Sequence, residues 1–146
     1  MGTRSLTYVY DSFVNDKGNK ENYILINLYR QYDGYISGHG LELAEWLSQY
    51  RVVNGLGLLD EGVKVANGMG CLAAQLVANF KDGPGQFYLQ SPKLGIDCWQ
   101  EYEYHVYADK VIVFGYDKEI FDGTWAEFNK YCLEEALAEE KAKASA

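Results

Sequence analysis

Residues 22–47, NYILINLYRQYDGYISGHGLELAEWL, decide the fold, because the period of their apolar residues changes partway along. Ile24, Ile26 and Leu28 recur at every second position, the spacing of one face of a β-strand. From Leu41 the period lengthens, and Leu43, Ala44, Leu47 and Tyr50 mark one face of a helix that begins through Gly38 to Gly40. A strand therefore feeds a helix through a junction that carries Arg30, Asp33, His39 and several glycines. Upstream, SLTYVY (5–10) places Leu6, Tyr8 and Tyr10 on one side of a second strand and Thr7 and Val9 on the other. The polar link NDKGNKE (15–21) suits a hairpin loop between the two strands.

Downstream of the first helix, VNGLGLLDEGVKVANG (53–68) has four glycines and no sustained period, which reads as a long loop or small flap. Met69, Leu72, Ala73, Leu76, Val77 and Phe80 then fall on one face of a second helix, which DGPG (82–85) stops. QFYLQ (86–90) reads as a short strand. EYEYHVYADKVIVFGYD (101–117) reads as a hairpin broken at Asp109 and Lys110, since its two runs are rich in aromatic and β-branched residues. A third helix starts at about Thr124, with Trp125, Phe128, Cys132 and Ala136 on one face. The order β-β-α-α-β-β-β-α predicts an α+β fold: a mainly antiparallel sheet of about five strands, covered on one face by about three helices. Residues 1–136 are expected to form the single domain, and residues 137–146 a charged, frayed tail.

A chain of 146 residues with 48% apolar content can bury the core of one compact domain. Its net charge of −8 works against a partner held by its phosphate backbone, so neither sequence-specific nucleic-acid binding nor an anionic membrane is expected. No apolar run approaches the roughly 20 residues of a membrane span, the N-terminus lacks a signal pattern, and Leu6 stands where myristoylation needs Ser or Thr. A cytoplasmic location follows as the expectation. Cys71, Cys98 and Cys132 are odd in number and widely separated, the pattern of reduced, buried thiols. There is no HxH, HExxH or CxxC spacing, so neither a metal nor a cofactor is expected.

The two glycine-rich helix starts, SGHGLELAEWL and NGMGCLAAQLV, are the sharpest functional signal. A helix N-terminus exposes unpaired N–H groups and partial positive charge, and glycine lets an anion reach them. If the two helix starts converge, the N–H groups at Gly38, His39 and Gly40, with those at Gly68 and Gly70, could hold phosphates. Arg30, Lys64 and Arg4 would add positive charge. Asp33 could read a hydroxyl or amine, and Tyr32 or Tyr35 could stack on a base. The plainer reading is that such glycines serve tight turns and close packing, and that tyrosines such as Tyr8, Tyr10, Tyr102 and Tyr104 fill a sheet. Neither helix start has the spacing of a Walker loop or a dinucleotide fingerprint.

MGTRSLT, YRQYDGYISGHG and NGMGCLAAQLVANFKDG, together spanning most of residues 1–90, resemble a family of small uncharacterised phage and bacterial proteins that open MGTRxLT and carry YRQxDGYxxGHG. The resemblance implies a viral or mobile-element setting, hence the host cytoplasm, and carries no functional residue with it. The resulting expectation is a homo-oligomeric, non-enzymatic binder that sequesters a small nucleotide-type signal, a cyclic nucleotide or ADP-ribose derivative, as a phage counter-defence sponge. One alternative is an enzyme cleaving a phosphoester or glycosidic bond of such a nucleotide, with His39 as acid or base beside Asp33. The other is a protein that inhibits host machinery by binding it.

Overall fold

The computed structural model describes residues 2–55 and 64–145. Strands β1 (Ser5–Val14) and β2 (Lys20–Arg30) form the expected hairpin, with Asn15 to Asn19 as its turn. One π-helical turn, Ile36–Gly40, leads directly into α1 (Leu41–Ser48). Strands β3 (Tyr50–Val53) and β4 (Lys64–Asn67) pair in parallel as a separate two-stranded sheet, followed by α2 (Gly68–Phe80). The remaining elements are β5 (Phe87–Gln90), β6 (Tyr102–Val106), β7 (Val111–Gly115), β8 (Lys118–Gly123) and α3 (Trp125–Ala144). Strand β4 lies in the segment read as a loop or flap, of which residues 56–63 lie outside the described residues, whereas β3 leads into it and takes up Tyr50, read from its spacing as part of the first helix, which ends at Ser48.

The α+β class and the three covering helices agree with the sequence reading, but the main sheet is larger and mixed. Its six strands run in the order β5-β2-β1-β6-β7-β8, and β1 pairs with β6 in parallel while every other neighbour is antiparallel. The strand unforeseen in the main sheet is β8, joined to β7 by Tyr116 and Asp117, both at positive φ, a two-residue hairpin turn built without glycine. Its sequence, KEIFDG, has the charge of an edge strand rather than the alternation of a half-buried one.

Side-chain alternation assigns the two sheet faces. Val9, Leu28, Phe87, Tyr104, Val106, Val111 and Val113 face the helices and join Leu43, Leu47, Leu72, Leu76 and Phe128 in the main core. Leu6, Tyr8 and Tyr10 face the other way, packed with Ile24, Tyr29, Cys98 and Tyr107. The sequence spacing puts Ile24 on the same face as Ile26 and Leu28, and the fold does not. The register explains the difference, because Val9 faces Ile26 while the adjacent Tyr10 faces Ile24, leaving Leu25 as an extra residue that turns the rest of β2 over. Residues 91–101 cross this second face to connect β5 at one edge with β6 on the far side of β1.

Helix α3 starts at the expected place because Thr124 and Glu127 form a reciprocal capping box. It runs on to Ala144, through the segment read as a frayed tail, where alanine, glutamate and lysine favour the helix although most of their surface is exposed. None of the described helices is long and apolar enough to cross a membrane.

Candidate functional site

The junction between β2 and α1 folds around a buried polar chain. The Arg30 side chain is only 7% exposed. Its Nε donates to the Tyr32 carbonyl (2.8 Å), Nη1 donates to His39 Nδ1 (3.2 Å) and to the Glu42 carboxylate, and the guanidinium lies over the Phe87 ring, 5.1 Å from its centroid. A guanidinium can only donate, so Nδ1 accepts and the neutral imidazole carries its proton on Nε2. That Nε2 donates to Thr7 Oγ1 at 2.7 Å. His39 is completely buried, enclosed by Phe80, Phe87 and Tyr104. Burial, and then the neighbouring Arg30 charge, push its pKa down to about 3.

This geometry answers the question raised by the glycines. The His39 N–H donates to the Asp33 carbonyl at 2.7 Å, and the N–H groups of Gly38 and Gly40 both donate to the Tyr35 carbonyl. None of the three is left for a phosphate. A Cβ on Gly38 would sit 2.5 Å from the Asp33 carbonyl oxygen, and one on Gly34 would meet the backbone of Arg4 and Ser5 at 2.9 Å. These glycines permit close packing. The second glycine-rich helix start differs, since Gly68 has φ +82° and a Cβ on Gly70 would meet open space.

The N-termini of the two helices do not converge. Phe80, at the C-terminal end of α2, packs on His39, whereas Met69 at the other end lies with Tyr10, Lys20 and Tyr107. A 13-residue helix separates those ends by about 18 Å. A pyrophosphate shared by Gly38 to Gly40 and by Gly68 and Gly70 is therefore out of reach. Tyr32 and Asp33 are exposed, and Asp33 has φ +63°. Tyr35 turns toward α3, where it lines a groove with Leu41 and Glu139. The Arg4 backbone meets Glu101 at the start of β6.

What Arg30 does border is a cleft of about 410 Å³ at the β2–β5 end of the sheet. Helix α1 contributes Glu42, Glu45 and Trp46 and its C-cap contributes Gln49, one stripe at i, i+3, i+4 and i+7. The end of α2 contributes Asn79 and Phe80, and the start of β5 contributes Phe87 after Gln86. Lys64 reaches its border, since its Nζ donates to Gln49 Oε1 at 2.9 Å. Of the residues expected from sequence, then, Arg30 lines the cleft and Lys64 touches its border. The aromatic and carboxamide residues were missed, because Glu42, Glu45 and Gln49 on an amphipathic helix read as an ordinary solvated face.

The chemistry of the cleft is that of a polar, hydrogen-bonding site rather than an anion hole. Two carboxylates face one guanidinium that is already engaged, and the C-terminal end of α2 adds partial negative charge. Comparison with protein-family models, curated proteins and solved structures found no match to this chain.

His39 also sets a pH dependence. The unfolded imidazole binds a proton near pH 6.5 while the folded one resists to about 3, so the unfolded state holds more protons between those values and stability falls as pH is lowered through that window. The full slope is about 1.4 kcal/mol per pH unit. Between pH 6 and 4.5 the protein should lose about 2 kcal/mol that a His39→Gln variant does not lose, as read from urea unfolding of the two proteins side by side. Parallel pH profiles would show that the imidazole is not held neutral.

Proposed function

We propose that the protein binds and sequesters a small nucleotide-type molecule, taking it up by its nucleoside end in the Arg30 cleft and not turning it over. The observation that carries this reading is the lining of the cleft: Gln49, Asn79, Gln86 and two carboxylates present hydrogen-bonding groups beside the partly exposed Phe80 ring, while Trp46 and Phe87 are nearly buried beneath them. The Phe80 ring takes the face of a base, carboxamides pair with its edge, and carboxylates accept from ribose hydroxyls or an exocyclic amine. Phosphates would meet Glu42 and Glu45 and so belong outside the mouth. This revises the expected mode of recognition while keeping the ligand class.

Binding without turnover is favoured over cleavage by the state of His39. Both of its nitrogens are occupied, it is held neutral, and Phe80 and Phe87 stand between it and the cleft. Sequestration of a signal in a phage or mobile-element setting requires nothing more than such binding. Glu45 is exposed, so Glu45→Ala should leave folding unchanged yet weaken adenosine binding about tenfold in calorimetric titration, the loss of one hydrogen bond to a charged group. Adenosine should bind at least as tightly as adenosine 5′-monophosphate. Tighter binding of the monophosphate, unaffected by Glu45→Ala, would place the ligand elsewhere.

A further inference from the structure

On the opposite face of the sheet, a second concavity of about 280 Å³ has a different chemistry. Its floor is made by Glu103 and His105 of β6 and by Phe114 of β7, and the crossing segment supplies Leu94 and Gln100. Glu101 and Asp117 complete the rim, and no lysine or arginine is among the lining residues.

The floor is held rigidly. His105 is 6% exposed and stacks on Tyr8 with ring centroids 4.8 Å apart and planes 9° from parallel. Its Nε2 donates to Glu103 Oε1 at 3.0 Å, and its Nδ1 is hydrogen-bonded to the Tyr10 hydroxyl at 2.7 Å. Gln100 Nε2 donates to the other Glu103 oxygen at 3.0 Å. The His105 hydrogen bond, against the opposing effect of burial, holds the Glu103 carboxyl below its usual pKa. Glu103 is thus an ionised, partly buried carboxylate whose bonded partners are an amide and an imidazole rather than a fixed cation. Glu101, at the rim, accepts from the Arg4 backbone N–H at 2.6 Å.

The concavity gathers three carboxylates, Glu101, Glu103 and Asp117, against a single basic side chain, the His105 imidazole, an excess of negative groups that a positive ligand would offset. Among the described residues no group of three or more His, Cys, Asp or Glu could hold a metal ion. Phe114 and Leu94 supply apolar wall, and Leu94 is 63% exposed with nothing covering it. The volume lies just under the roughly 300 Å³ at which drug-sized sites begin. From these features together we infer that this concavity is a second binding site, taking a small organic ammonium ion whose charged end meets Glu103 and Asp117 and whose apolar body lies against Phe114 and Leu94.

The test is calorimetric titration with phenethylammonium and with its neutral counterpart 2-phenylethanol, supported by amide chemical-shift mapping. Saturable binding of the amine is expected, with shifts at residues 94–105 and 114–117 and at least about tenfold weaker binding of the alcohol. Glu103→Gln keeps the size and an acceptor for His105, and should lower affinity for the amine by about tenfold. Asp117 sits at φ +65°, a conformation asparagine tolerates, so Asp117→Asn leaves the turn intact and gives a second reading should Glu103→Gln fail to fold. It too should weaken the amine. Equal binding of amine and alcohol, binding unaffected by both substitutions, or no saturable binding would overturn the inference.

Discussion

Arg30→Ala should destabilise the protein by about 3 kcal/mol, measured by urea unfolding, before any effect on a ligand is considered. The side chain looks like a ligand contact in sequence, standing alone at the end of a strand before a glycine-rich turn. In the fold it is the hub of the junction, bonded to the Tyr32 carbonyl, His39 and Glu42 and laid over Phe87. Removing it leaves His39 Nδ1 without a donor in a fully buried site, a cost of about 1 to 3 kcal/mol by itself, and strips the packing of the Arg30 stem. The ion pair with Glu42 adds less, because that carboxylate is 54% exposed and screened. Arg30→Lys should recover only part of the loss, since an ammonium cannot bond to three differently placed acceptors as the planar fork does. A fully stable Arg30→Ala protein would mean that the buried chain contributes nothing to the fold.

Gly38→Ala should cost about 3 kcal/mol, and Gly70→Ala should be neutral or stabilising by up to about 1 kcal/mol. The two positions are alike in sequence, each a glycine two residues from another at the start of a helix. They differ in what a methyl group meets. At Gly38 it would press on the Asp33 carbonyl at 2.5 Å, the oxygen that accepts the His39 N–H, and the turn could not relax without breaking that bond. At Gly70 it meets open space inside α2, where alanine is the better helix former. Thermal unfolding of both variants separates them. Equal effects would show that the first turn is looser than its hydrogen bonds indicate.

That contrast marks the limit of what can be read from one sequence. Local periodicity was sufficient for the β1–β2 hairpin, for α2 and for the start of α3, because each obeys its own rule over a window of ten residues or so. The parallel β1–β6 pairing joins Ser5 to Tyr102, and no local pattern encodes a contact of that span. The extra Leu25 in β2 is invisible in a run where every residue from Ile24 to Ile26 is aliphatic. Strand β8 was hidden because a solvated edge needs charge rather than alternation. At the site, Arg30 was picked out by its place at a strand end, while Glu42, Glu45, Trp46 and Gln49 became a cleft wall only when α1 packed beside the end of α2. Whether the two glycine-rich helix starts met depended on the direction of α2 across the sheet, a tertiary fact.

Binding without turnover is tested by thermal unfolding of the protein against a panel of nucleosides, mononucleotides, cyclic di- and trinucleotides and ADP-ribose isomers, with each mixture then analysed by chromatography. A ligand present at about 100 times its dissociation constant should stabilise the fold by about 2.7 kcal/mol, a clear rise in Tm. Such a rise is expected for at least one member of the panel, reduced to about 1.4 kcal/mol in Glu45→Ala by its tenfold weaker binding, with full recovery of the ligand unchanged. No rise with any member would contradict the nucleotide-type reading, and a rise with the ligand converted would contradict binding without turnover.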